Sequence, residues 1–319
     1  MPNRAGTATL VATLACVVAA ACWALNAVIA ADTFGYGISP EHLAESRVIV
    51  ALVPLAAYLA VARRDLLVPP RAAWSPIAAF GACIVAVNFA YYVALERVPV
   101  GVAIALQYTA PVLILVGAAV IARRAPRGAA WVAGGLTLIG AALVGGVFGR
   151  GTAAGDVAGG TAGLDGLGLL AGALAAVTFA GYLVSAEIAG RRGTHPVTTL
   201  FGGFVVATLL WAVIVPLWSW PFHLLADPQI AVRVLSIGLL GTLLPFGLTV
   251  AALRILSSSV AGIATTMEPV LAAALAWLLL GQQLAPAQLL GGGLVVGGVL
   301  IAQLVRPAPQ ASAAVDAAP

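Results

Sequence analysis

Ten stretches of apolar residues, separated by polar, proline or glycine breaks, run through the 319-residue chain. They lie at roughly 8 to 30, 43 to 62, 74 to 94, 99 to 122, 129 to 148, 164 to 189, 197 to 217, 231 to 253, 257 to 280 and 285 to 305. About twenty helical residues, at about 1.5 Å each, cross the ~30 Å hydrocarbon core of a bilayer. In lipid every backbone polar group must find its partner inside its own segment, so runs of this kind fold as helices. Soluble domains are about a quarter charged, whereas this chain is 62% hydrophobic and 8% charged. The expected fold is therefore an all-α polytopic membrane protein with ten transmembrane helices. The first run is longer than the ~7 to 15 apolar residues of a secretory signal and is followed by others like it, so it reads as the first span.

Arginine placement orients the spans. With the N terminus in the cytoplasm, that side collects Arg4, Arg63, Arg64, Arg71, Arg123, Arg124, Arg127, Arg191, Arg192, Arg254 and Arg306, against Arg97, Arg150 and Arg233 on the other. This positive-inside bias puts both termini in the cytoplasm. The net charge of +4 reflects this placement, not a basic face for nucleic acid. Residues 149–163 form a Gly-rich linker between two sets of five spans, 1–148 and 164–305, and the Pro- and Ala-rich tail 306–319 is expected to be disordered. The halves echo one another at an offset of 158, with Pro111 falling on Pro269 and Gly134, Gly135 and Gly140 on Gly292, Gly293 and Gly298. Five is odd, so such repeats are inverted in the membrane, a layout characteristic of secondary transporters.

The span 257 to 280 breaks two local rules at its middle. Glu268 is a carboxylate too deep to reach the interface, and Pro269 removes a helix hydrogen bond, freeing the carbonyl of Thr265. Its repeat partner keeps the proline, Pro111, but has Ala110 opposite Glu268. Glu268 is thus protonated, hydrogen-bonded, or a proton or substrate site.

Other intramembrane polar and aromatic residues outline a candidate cavity: Trp23 and Asn26 on the first run, Asn88, Tyr91 and Tyr92 on the third, Gln107 and Tyr108 on the fourth, Thr178, Phe179 and Tyr182 on the sixth, Thr265 and Thr266 on the ninth. Aromatic walls with a few hydrogen-bonding groups suit a small organic solute. Each has a plainer reading. Asn and Gln can be glue between helices, Tyr91 and Tyr92 an interfacial belt, like Trp218 and Trp220, and Arg47 can either snorkel to headgroups or face the cavity. Glycine pairs such as Gly145 with Gly149 and Gly293 with Gly297 read as close packing within the bundle. Cys16, Cys22 and Cys83 read as small core residues, and no metal or cofactor is expected. With no GxxxxGK[ST] and no HExxH in the chain, energy must come from gradients or exchange.

The segments ALERVPVGVAIALQYTAPVLILV (94 to 116) and PFGLTVAALRILSSSVAGIATTMEPVLAAALAWLLLGQQLAPAQLLGGGLVVGGVL (245 to 300) resemble the drug/metabolite transporter superfamily, EamA type, and within it bacterial amino-acid exporters. The resemblance implies two EamA repeats, a ten-helix inner-membrane bundle and a central cavity open to one side, with an Arg such as Arg47 early in the second span. One departure is Gln282, which follows Gly281 where the family usually carries Glu. The function implied is export of amino acids or related small metabolites by alternating access, the alternatives being uptake or exchange of another solute, a channel, or a non-transporting protein. The expected partners are a small-molecule solute and the lipid bilayer, as monomer or homodimer.

Overall fold

The computed structural model describes residues 4–98, 100–122, 128–144, 165–280 and 285–304; all regular structure in them is helical. In chain order the first half holds α1 (Arg4–Phe34), α2 (Pro40–Ala62), α3 (Trp74–Arg97), α4 (Val100–Gln107), α5 (Ala110–Ala122) and α6 (Gly128–Val144). The second holds α7 (Gly166–Arg191), α8 (Pro196–Ile214), α9 (Pro228–Gly238), a π-helical turn (Leu239–Leu243), α10 (Leu244–Ala252), α11 (Ser258–Thr265), α12 (Met267–Leu280) and α13 (Pro286–Leu304). The linker 149–163, the tail 306–319, Gly281, Gln282, Gly145 and Gly149 lie outside the described residues.

Both halves open with the same device. After α1, Gly37 takes φ 84°, and after α7, Gly193 takes φ 77°, a left-handed conformation open to glycine at little cost. Each turn leads to a proline, Pro40 or Pro196, in the first turn of the next helix, where its missing N–H is not needed.

Three predicted runs are not single helices. The fourth breaks at Tyr108 and Thr109, and the ninth at Thr266, 158 residues after Tyr108. The cause is shared: Pro111 and Pro269 cannot donate to the carbonyls of Gln107 and Thr265, so each helix restarts just before its proline. The eighth run is interrupted by the π turn, and Pro245, two residues beyond it, has no N–H for the carbonyl of Gly241 within it.

Among the described residues, six helical stretches are long and apolar enough to cross a membrane: Gly6–Phe34, Pro40–Ala62, Arg71–Arg97, Gly166–Arg191, Pro196–Ile214 and Pro228–Ala252. Shorter apolar helices are Val102–Gly117, Gly128–Val144 and Pro286–Ile301. The outward faces carry Leu14, Val18, Val53, Leu209 and Val213, exposed where a water-soluble bundle would place charge. Their surroundings are therefore hydrocarbon.

Packing between helices comes in matched sets. Helix α3 lies along α7, and α1 lies along α9, the π turn and α10. Helix α8 packs on α3, and α2 packs on α9. The pair α4 and α5 packs on α7, and the pair α11 and α12 on α1. Helices α6 and α13 lie against each other, closely enough that a Cβ on Gly140 would come within 2.6 Å of the Gly291 carbonyl. A Cβ on Gly298 would meet Thr137. Gly293 and Gly297 take no part, having nothing beside them within 4 Å. The pair expected to pack is on the wrong face: Gly291, Val295 and Gly298 share the α6 side at helical spacing, and Gly293 is turned about 200° from Gly291. The three cysteines are free, Cys16 fully buried.

Candidate functional site

Two buried groups of polar side chains lie among these interruptions. The first centres on Arg47, seven residues into α2 and 2% exposed. It points inward, not to the headgroups. Its Nε donates to Thr242 Oγ1 at 2.7 Å, and its Nη1 donates to Asn88 Oδ1 at 2.8 Å and to the Tyr92 hydroxyl oxygen at 2.9 Å. Its Nη2 donates to the Gly241 carbonyl at 2.5 Å. Asn88 and Tyr92 are one turn apart on α3, and Asn88 Nδ2 is anchored on the Ile84 carbonyl. The Gly241 carbonyl is the one that Pro245 leaves unbonded, and Thr242 Oγ1 donates five residues back to Ile237. The π turn thus turns two backbone faults into an arginine cradle. Every acceptor in it is neutral, and among the described residues no carboxylate pairs with Arg47.

The second group is Glu268 with Tyr108. Glu268 stands in the first turn of α12, where unbonded backbone N–H groups favour a negative charge, and it is 2% exposed. Tyr108, at the break between α4 and α5, donates its hydroxyl proton to Glu268 Oε2 at 2.5 Å. The two helix breaks are therefore hydrogen-bonded to each other. No basic side chain among the described residues is in ion-pair contact with Glu268.

Tyr91 stands beside the first group, next to Tyr92. It is buried, its ring lies 6.2 Å from that of Tyr92, and its hydroxyl has no hydrogen-bond partner. Tyr91 and Tyr92 are thus interior residues and not an interfacial belt. Trp220 is interior too, donating its indole N–H to the His42 carbonyl, while Trp218 is exposed.

An aromatic column flanks this site. Trp23 meets Phe179 edge-on at 6.0 Å and Phe246 at 5.6 Å; Tyr182 lies 5.2 Å from both Phe179 and Phe246; Tyr108 meets Phe179 at 6.0 Å. Buried polar atoms without partners accumulate here: Asn26 Oδ1, Gln107 Oε1 and the Tyr182 hydroxyl. Asn26 packs against Gly241, which has no room for a side chain. Thr265 and Thr266 are fully buried but bond to carbonyls of their own helix, Gly262 and Ile263, and Thr178 does the same with Leu174. They stabilise the end of α11 and the middle of α7, and present no free donor. Pro111 and Pro269 act through the breaks.

Two participants and one further buried carboxylate escaped the sequence reading. Thr242 and Gly241 sit in an apolar run, and the signal was Pro245, to which the rule used for Pro269 applies unchanged. Glu45, at the start of α2, is 1% exposed with Oε2 unpartnered.

The model of the EamA-like transporter family matches residues 10–146 and 166–304. The threonine/homoserine exporter RhtA of Escherichia coli K12 is 29% identical over 228 residues, covering 69% of this chain and 68% of that protein. RhtA of Escherichia coli O157:H7 matches to the same extent. A solved structure described as "Crystal structure of protein" superposes with a TM-score of 0.69 at 23% identity, over 92% of this chain and 96% of the other, which speaks for the fold.

Proposed function

The chain belongs to the EamA-like transporter family and is a multi-pass inner-membrane protein, and on that premise we propose that it is a secondary transporter exporting amino acids or related small metabolites by alternating access. The observation that carries this reading is the Tyr108–Glu268 hydrogen bond, which ties the two mirrored helix breaks together deep in the bundle. Broken helices facing each other at the midplane are where secondary transporters hold solute and coupling ion. Residues 1–148 and 164–305 then act as two inverted five-helix repeats, both termini cytoplasmic. Supporting the inversion are the 158-residue spacing of the breaks, the matched packing of helices and the two family-matched segments. The names of the E. coli relatives favour threonine or homoserine as first solutes to try.

The test is growth rescue on toxic amino acids and analogues, paired with counterflow of labelled threonine in proteoliposomes. Rescue together with saturable counterflow is expected. Flux that never saturates would make the protein a channel, and a panel with no amino acid carried would refute the solute class.

A further inference from the structure

At the end of the second half that the proposed orientation makes cytoplasmic, α7 and the short helix α11 meet at a carboxylate that the site above does not use. Glu187, four residues from the end of α7 and 9% exposed, accepts a hydrogen bond through Oε2 from the backbone N–H of Ser258 at 2.7 Å. Ser258 is the first residue of α11, where N–H groups have no partner in their own helix, so charge as well as the bond holds the carboxylate there. Through Oε1, Glu187 accepts from Arg191 Nη2 at 2.6 Å, one turn further along α7. This contact can part without damage to either helix. Glu187 keeps its counter-ion, because Arg191 is on the same helix and exposed, so no uncompensated charge is left behind. Helix α11 keeps a cap of its own, since Ser257 Oγ accepts from the Val260 N–H at 3.4 Å. What is lost is one charge-assisted hydrogen bond. Deeper in, the same seam leads to the candidate site. Leu183 and Phe179 follow Glu187 at intervals of four on one face of α7. Leu183 lies over Gly262, one turn on from Ser258, where an added Cβ would sit 3.3 Å from Leu183 Cδ1 and 3.4 Å from Pro111 Cγ. Phe179 meets the ring of Tyr108 at 6.0 Å, and Tyr108 holds Glu268. A line of contacts thus runs from Glu187 to the paired helix breaks.

We propose that Glu187 is the cytoplasmic latch of the carrier: its bond to the Ser258 N–H holds the seam between α7 and α11 closed, and a solute reaches Tyr108 and Glu268 from the cytoplasm along this seam once the bond parts. The proposal rests on the transport reading and the orientation above, and adds to them the route of entry and the contact that guards it. Glu187 is a positioning residue that touches no solute. It sets the fraction of molecules open to the cytoplasm, and a binding-competent state that is only partly populated weakens the apparent affinity by that fraction. Loosening the latch therefore strengthens apparent binding at the cytoplasmic face and weakens it at the other.

The test measures each face separately. Transport of the best-carried amino acid of a labelled panel is followed against concentration in inside-out and right-side-out membrane vesicles, for wild type, Glu187→Gln and Glu187→Ala. The Ala variant lacks the acceptor, and the Gln variant keeps an oxygen for the Ser258 N–H without the charge. The expected result for Glu187→Ala is a KM at the cytoplasmic face lower by about threefold or more, with a smaller drop for Glu187→Gln and a rise at the outer face for both. A KM unchanged or raised at the cytoplasmic face, whatever happens to Vmax, overturns the latch and leaves Glu187 a structural residue. Glu187→Cys with Ser258→Cys, in a background lacking Cys16, Cys22 and Cys83, decides the case even where the Ala variant fails to insert. Cross-linking should abolish entry from the cytoplasmic face and reduction restore it, and transport that continues while cross-linked overturns the latch with the transport reading intact. A wild type that carries no amino acid in either kind of vesicle refutes the transport reading, and the latch with it.

Discussion

Arg47 owes its position to four groups on two elements, α3 and the π turn, and the guanidinium fork is what lets one side chain reach them. Lysine supplies the charge but not the geometry. Arg47→Lys is therefore expected to leave a folded protein that transports about tenfold less or worse, with thermal stability in detergent lower by about 1.5 to 3 kcal/mol, the worth of a charged hydrogen bond. Near-normal counterflow would show that charge alone suffices. Tyr108→Phe removes one hydroxyl and leaves Glu268 Oε2 unbonded. It should slow transport with little change in expression, read in the same assay.

At the scale of elements, the π turn is the departure with the clearest cause. Pro245→Ala restores an N–H for the Gly241 carbonyl and draws it away from Arg47. The variant should melt at an equal or higher temperature and transport more slowly. If transport is unchanged, the turn is a packing feature. Another element-level prediction concerns His195, which caps α8 by accepting from the Val197 N–H at 3.3 Å through Nδ1. Burial first, then Arg254 and Arg63, hold its pKa below 6.5, so the folded state favours the neutral ring that can accept. The cap's contribution is full above 6.5 and is lost as pH falls through the lowered value. His195→Asn, a cap without this titration, should flatten the acid limb of the melting curve, and an unaltered limb would contradict this.

For the whole molecule, the Asp32–Arg233 pair ties the end of α1 to α9 at 2.7 Å, with Arg233 also over the Tyr36 ring. An exposed pair is weak, which suits a contact that opens in the proposed alternating-access cycle. Cysteines at both positions, in a background lacking the three native ones, should block transport when cross-linked and recover it on reduction. Persistent transport while cross-linked would exclude motion there.

How much of this was legible follows from the same scales. The apolar runs were readable because lipid demands apolar length, and the carbonyl freed at Thr265 because a proline's effect falls four residues away; that the fourth, eighth and ninth runs divide into separate helices was not. Glu268 was readable because lipid penalises it. Arg47 was left between two readings because its partners are 41 to 195 residues distant, and no periodicity reports a tertiary hydrogen bond. The tightly packed glycines were missed because GxxxG spacing says that a face is small, not which way it points. Glu45 shows the same gap: burial is a property of the assembled bundle.

The central claim is that a carboxylate at paired helix breaks drives this carrier. The direct measurement is amino-acid flux driven by a pH gradient in proteoliposomes, wild type against Glu268→Gln, at matched incorporation. The account predicts that the variant loses gradient-driven flux by tenfold or more (about 1.4 kcal/mol or greater); equal flux from both proteins would contradict it.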